Sequence, residues 1–294
     1  GYDVGASPLA LVRMRCDKKN TVDDFALLGF EQDKGVHWNF VAVYSGGEGS
    51  QFTFSLKRPK NFTGNFLPNE VVNDLVVARL GKKYVTPPGT YTQEAVDAEE
   101  ALIAVTPTGG RIFEGFGECE FVRAKDWGLC SRVTGLAVTD VNGDLYSDFI
   151  ATCEDDSGWS GRVVYGAASQ SAFEGTGDSL VWNTTGDVRL EGGESTLSLE
   201  APRVADVNGD GLLDIVALDR ASGALLLFAN TGLVKSGNVN VFHPVPIRLP
   251  VVPGVTAYEL HDFNGDQCLE IVALSPTAKG AEIQRSVLNG CSSP

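Results

Sequence analysis

The stretch Ala205–Leu218, ADVNGDGLLDIVAL, places Asp206, Asn208, Asp210 and Asp214 within nine residues and then turns wholly apolar. Two near-copies keep the same plan, TDVNGDLYSDFIA from Thr139 and HDFNGDQCLEIVAL from His261. In each copy oxygen-bearing side chains fall at positions 1, 3, 5 and 9. These are Asp140, Asn142, Asp144 and Asp148, then Asp206, Asn208, Asp210 and Asp214, then Asp262, Asn264, Asp266 and Glu270. The run after position 9 is apolar and largely β-branched or aromatic, which predicts a buried strand. Glycine holds position 4 throughout, as Gly143, Gly209 and Gly265, where a tight loop must curl without a Cβ clash.

Alternating oxygen ligands on a tight loop can converge on one point. A hard cation such as Ca²⁺ takes about six to eight oxygens at about 2.3–2.6 Å. The backbone carbonyl at position 7, from Tyr146, Leu212 or Cys268, would complete the set. The expectation is about three structural Ca²⁺ ions, each pinning one strand to the next. Without an ion, carboxylates crowded on a low-dielectric wall would repel one another. An EF-hand is excluded, because position 12 is Ala151, Ala217 or Ala273 and lies in a strand-like run. The competing reading is an Asx-rich turn held by side-chain to backbone hydrogen bonds. Three such loops in register argue for the ion.

The motifs mark a longer repeat. Position 9 leads each time into a strand, a turn and a second β-like run. DDFALLGF from Asp23 and EEALIAVTPTGGRIFEG from Glu99 repeat that plan without the acidic loop. The anchors are therefore Asp24, Glu100, Asp148, Asp214 and Glu270, spaced by 76, 48, 66 and 56 residues. The long first interval is read as an insertion over about 83–98, whose Pro87, Pro88 and Gly89 mark a loop. A period of this size with strand-turn-strand content predicts an all-β chain. The expected architecture is a single β-propeller over 1–294, of five blades with about four antiparallel strands each. Two unrelated β domains sharing a loop motif are the alternative.

With an acid at position 9 and a strand behind it, the pattern resembles the calcium loops of integrin α-like propellers, the FG-GAP/VCBS repeat family. Asp206–Asp214 fits that family's D-x-N-x-D-G-x-x-D fully. Leu145 replaces the second glycine in the first copy; Gln267 and Glu270 depart in the third. The resemblance is well supported over about 139–290 and loose over 9–138. The upstream copies are expected to bind no metal, since Cys16, Lys18 and Asn20, or Arg79 and Lys82, replace the ligands. The resemblance implies structural ions without catalytic duty and an adhesion- or receptor-type module that holds a protein or glycan ligand.

Composition bounds the partners. The net charge is −15, and the first 83 residues carry 11 Lys and Arg against 9 Asp and Glu, so the acidity lies downstream. A nucleic-acid partner is disfavoured, because phosphate binding needs a basic surface. No apolar run approaches the length of a membrane helix. Six cysteines without a C-x-x-C pair suit disulfides, with Cys119 and Cys130 close enough to clip one loop. Asn61 and Asn183 head glycosylation sequons. Together these features point to an extracellular or cell-surface setting. Trp127 and Trp159, placed at turns, are candidate ligand-binding aromatics; Trp38 and Trp182 lie in strand-like runs.

A catalytic constellation is not found. There is no G-x-S-x-G, no H-E-x-x-H and no glycine-rich phosphate loop. GDSL at Gly177–Leu180 copies an esterase tetrapeptide but follows no apolar strand, and it is read as a loop. Of three histidines, His261 adjoins an acidic loop and is expected to be packed or at the surface. The chain is therefore expected not to be an enzyme. A lectin and a polysaccharide-active propeller enzyme remain the alternatives.

Overall fold

A computed structural model describes residues 7–14, 24–33, 36–45, 55–57, 71–79, 100–115, 121–128, 130–143, 146–156, 158–165, 173–174, 179–182, 188–190, 197–235, 239–243, 245–251, 254–263, 265, 269–277 and 280–287. Among them every regular element is a β-strand. The chain divides into two compact units. The first comprises Gly1–Leu129, Leu145–Ser147 and Gly166–Asn183; the second comprises Cys130–Asp144, Asp148–Tyr165 and Thr184–Pro294.

In the first unit, β1 (Ser7–Met14), β2 (Asp24–Asp33), β3 (Val36–Ser45) and β4 (Ser55–Lys57) form one antiparallel sheet in chain order. A second sheet is built on the antiparallel run β5 (Asp74–Arg79), β6 (Glu100–Thr106), β7 (Gly109–Gly115) and β8 (Phe121–Gly128). Beyond β8 it gains β13 (Ser179–Trp182) in parallel and then β12 (Phe173–Glu174). Met14, Ala26, Leu28 and Val41 from the first sheet pack with Leu75, Leu102, Ala104 and Phe113 from the second. The proposed insertion at 83–98 lies outside the described residues.

Among the described residues the second unit holds three sheets with one plan and a separate two-stranded ribbon. The first has β9 (Arg132–Thr139), β10 (Asp148–Asp155), β11 (Gly158–Val164) and β14 (Val188–Leu190). The next has β15 (Leu199–Ala205), β16 (Asp214–Asp219), β17 (Ala224–Phe228) and β20 (Ile247–Arg248). A ribbon of β18 (Asn230–Lys235) and β19 (Val239–Phe242) lies between β17 and β20 in the chain. The third sheet is β21 (Ala257–His261), β22 (Glu270–Thr277) and β23 (Gly280–Val287), three strands among the described residues instead of the expected four.

All five sequence anchors open the second strand of an antiparallel three-strand run: Asp24, Glu100, Asp148, Asp214 and Glu270 begin β2, β6, β10, β16 and β22. The side chains of Asp24, Asp148, Asp214 and Glu270 are completely buried. The apolar run after Asp214 explains itself in the packing. Side chains alternate across a strand with period two. Ile215 and Ala217 therefore join a core with Ile150, Val163 and Phe228, while Val216 and Leu218 join another with Tyr258, Ile271 and Ala273. The sheet carrying β16 is thus buried on both faces, which removes polar alternation from its central strand. Each fully buried Leu, Ile or Phe there contributes roughly 1.5–3 kcal/mol relative to exposure.

Neighbouring sheets in this unit approach closely at β15. Its pairing with β16 is irregular between Glu200 and Arg203, and Ala201 sits there at φ +48°. The Tyr258 hydroxyl on β21 lies 2.8 Å from both the Ala201 and the Val216 carbonyl oxygens. Burial pushes its phenol far above the ordinary tyrosine range, with Arg203 pulling the other way. Thr134 on β9 donates its hydroxyl to the Leu199 carbonyl at 2.8 Å. Tyr258→Phe keeps the ring and removes the donor. It is expected to lower unfolding stability by about 1–2 kcal/mol, because buried carbonyls lose a partner. Urea melts of the two proteins check this; equal midpoints and slopes would refute it.

The structure corrects the expected disulfide. Cys130 is bonded to Cys153, not to Cys119, which lies outside the described residues. β9 and β10 are paired neighbours, with Val133 opposite Cys153; Cys130, just before β9, approaches the β10 cysteine across that pair, with Cα atoms 6.0 Å apart. Closing a loop of that size is worth about 3 kcal/mol in the chain-entropy account. GDSL is corrected as well: Ser179 and Leu180 open β13 instead of lying in a loop.

Candidate functional site

The three acidic loops join the first two strands of the three sheets in the second unit. Among their described residues they share two hydrogen bonds. The N–H at position 4 donates to the position-1 carboxylate: Gly143 to Asp140, Gly209 to Asp206 and Gly265 to Asp262, each at 2.7 Å. The glycines have φ of 77°, 78° and 78°, the left-handed region that favours glycine. The N–H at position 2 donates to the buried position-9 carboxylate: Val141 to Asp148 at 2.8 Å, Val207 to Asp214 at 3.2 Å and Phe263 to Glu270 at 2.7 Å. Each anchor acid thus ties the start of its strand to the start of its loop.

Loop 206–214 is described throughout. Asp206 also accepts the N–H groups of Asp210 at 3.1 Å and Gly211 at 2.9 Å. Asn208 Oδ1 accepts the Asp210 N–H, and Asn208 Nδ2 donates to Asp210 Oδ2, both at 2.9 Å. Asp210 Oδ1 accepts the Leu212 N–H at 2.8 Å. Asp214 Oδ1 accepts the N–H of Asn230, the first residue of β18, at 2.8 Å. Gly211 stands at φ +84°, a conformation that a Cβ at position 6 would strain.

Burial holds the Asp214 carboxyl above the ordinary carboxylate range, and the nearby charges of Asp210 and Asp206 add to that rise against its two N–H bonds. Three carboxylates therefore feel one another across this loop. A raised folded value means that the folded state keeps the proton longer than the unfolded chain does. Asp214's contribution is then greatest in acid and is lost as pH rises from the ordinary carboxylate range through its raised value. In chelator, wild type is expected to lose stability relative to Asp214→Asn as pH rises from about 4 towards neutrality. Melting curves across that range measure it; a parallel pair of curves would contradict it.

All side-chain donors at positions 1, 3, 5 and 9 are oxygens, as a hard divalent cation requires. A carboxylate offers about four lone-pair sites. Asp206 spends three on N–H groups, while Asp210 and Asp214 accept fewer, so acceptor capacity remains. Among the described residues no group of three or more His, Cys, Asp or Glu side chains forms a ready cluster for a metal. The Asx-type hydrogen bonds offered as the competing reading are present. The donor chemistry and the mutual repulsion at Asp214 fit a cation.

Residues 206–273 match the family model for the FG-GAP-like repeat. This segment is an FG-GAP-like repeat. It runs from the first position of one acidic loop, through the sheet of β16, to β22 beyond the next loop. A search of curated proteins found no match to the chain.

The other expected positions fall as follows. Asp144, Asn264, Asp266, Cys268, Asn61, Asn183 and Cys119 lie outside the described residues; Tyr146 is half-buried. Trp159 is not at a turn tip but is the second residue of β11, opposite Glu154. Its ring carries the Arg132 guanidinium, 5.5 Å from the centroid, and Arg132 Nε also meets Glu154 at 2.9 Å. Trp127 lies in strand β8, not in a disulfide-closed loop. His261 ends β21, exposed, edge-on to Phe263 with ring centroids 5.2 Å apart. Sequence reasoning missed Asn230 and Arg285. Arg285 donates to Glu270 Oε1, and its place in an otherwise apolar row emerges only from the pairing of β23 with β22.

Proposed function

We propose that this FG-GAP-type chain is a five-bladed β-propeller that works outside the cell or at its surface as a recognition module for a protein or glycan ligand. The observation that carries the reading is the common geometry of the three acidic loops, with the family match running from one loop to the next. In this reading Ca²⁺ is a structural ion. Asp206, Asn208, Asp210, Asp214 and the Leu212 carbonyl would hold it in one loop, and Asp140, Asn142, Asp144, Asp148 and the Tyr146 carbonyl in another. A bound ion supplies charge neutralisation; the chain's own N–H groups set the loop before it arrives. The Cys130–Cys153 bond supports an oxidising compartment. No helix among the described residues is long and apolar enough to cross a membrane.

The test has two arms. Calorimetric titration with Ca²⁺ should detect binding that Asp210→Ala reduces by one ion. Capture from extracellular fluid on immobilised protein, run beside a glycan array, should yield a ligand whose binding weakens in chelator. Turnover of polysaccharide without retained ligand would replace the recognition reading with the enzymatic one.

A further inference from the structure

We propose that Arg285 is the resident counter-ion of loop 262–270, and that this loop takes no Ca²⁺ under conditions that fill loop 206–214. The proposal rests on the calcium reading given above for the other loops.

The position-9 acids are held differently. Asp214 presents its two oxygens to backbone N–H groups, from Val207 and Asn230. Both donors are neutral, so the negative charge stays in the loop. Glu270 gives one oxygen to the Phe263 N–H, as its counterparts do, and the other to the Arg285 guanidinium. Glu270 is buried while Arg285 is half-exposed. The guanidinium therefore neutralises a desolvated carboxylate while keeping part of its own hydration.

Register shows that this arginine is out of pattern. In every repeat the residue two after the anchor pairs with a residue on the third strand. Those partners are Val43, Phe113, Val163, Leu227 and Arg285, opposite Ala26, Leu102, Ile150, Val216 and Val272. Four are apolar, and Phe113, Val163 and Leu227 are buried. A single charge in that row needs a partner, and Glu270 provides it. The two departures coincide. The same loop carries Glu instead of Asp at position 9, a side chain one methylene longer. A fixed guanidinium in place of a diffusible cation accounts for the changes together, because the loop no longer has to preserve an ion cavity.

The experiment is calorimetric Ca²⁺ titration of the full chain, with Tb³⁺ luminescence as a second readout, on wild type, Arg285→Gln, Arg285→Lys and Asp266→Ala. Circular dichroism checks that each variant is folded. Arg285→Gln is expected to bind one ion more than wild type, or to tighten its weakest site at least ten-fold. Arg285→Lys, which keeps the charge, and Asp266→Ala should both match wild type. In chelator Arg285→Gln should melt several degrees lower, and saturating Ca²⁺ should close that gap. Unchanged binding in Arg285→Gln, or loss of an ion in Asp266→Ala, would overturn the proposal. A wild type that binds no ion while Arg285→Gln gains one would sink the calcium reading of the other loops and uphold the counter-ion role.

Discussion

Chelation is expected to lower the melting temperature of the calcium-saturated protein by about 10–20 °C. Loops 140–148 and 206–214 are the two that would take an ion. A ligand present at about 100 times its dissociation constant stabilises the folded state by about 2.7 kcal/mol per site, so two sites give about 5 kcal/mol. For a chain of this size each kcal/mol moves the midpoint by about 2–4 °C. The effect has a local origin. Asp214 is completely buried, and its charge is opposed by burial and by Asp210 and Asp206. Removing a bound cation would restore that repulsion at the joint between β15 and β16. Asp210→Ala should reproduce about half the loss, since it abolishes one site and its side chain is exposed, with few other contacts to lose. Differential scanning calorimetry with and without chelator measures both. Identical midpoints in all four samples would mean that the loops are hydrogen-bonded turns and nothing more.

Gly135→Ala is expected to destabilise the chain by roughly 3 kcal/mol, the upper end for overpacking a well-filled interior. A Cβ on Gly135 would come within 2.7 Å of the Ala201 nitrogen and closer still to Pro202 Cδ. Neither neighbour is the loose end of a flexible side chain. Ala201 is already in the left-handed region, and its carbonyl is tied to the Tyr258 hydroxyl. Pro202 is a rigid ring. For the clash to resolve, β15 must move away from β9, which disturbs the Thr134 bond to Leu199. Gly143→Ala is the control. Its Cβ would meet nothing within 4 Å, so only the left-handed backbone at φ +77° resists it, costing about 1–2 kcal/mol. Urea denaturation ranks the two. A Gly135→Ala loss no larger than that of Gly143→Ala would show that β15 yields freely.

Much of the site was legible in sequence because its bonds are local. Position 1 to position 4 and position 2 to position 9 span three and seven residues, and a recurring pattern at that range repeats its geometry wherever the chain repeats it. The strand starts were legible for a related reason. An acid followed by an apolar run marks where a loop enters a sheet, and all five anchors open a second strand. Those starts hold even where the loop acids are missing, as at Asp24 and Glu100.

What the chain's order could not reveal was pairing across strands. Cys119 is nearer to Cys130 in sequence, yet the pairing of β9 with β10 brings Cys153 within bonding reach. Trp159 looked free at a turn, but the same register brings Arg132 over its ring. Arg285 reads as an ordinary surface charge until β23 is laid against β22. The sequence by itself determined the acidic loops, the strands behind them and the all-β class, because each depends on neighbours within about ten residues or on a period-two pattern. Only the tertiary structure decided the disulfide, the close passage of β9 over Ala201 and the cation at Glu270. Those contacts join residues brought together by strand register and sheet packing, and no local pattern encodes which partner arrives.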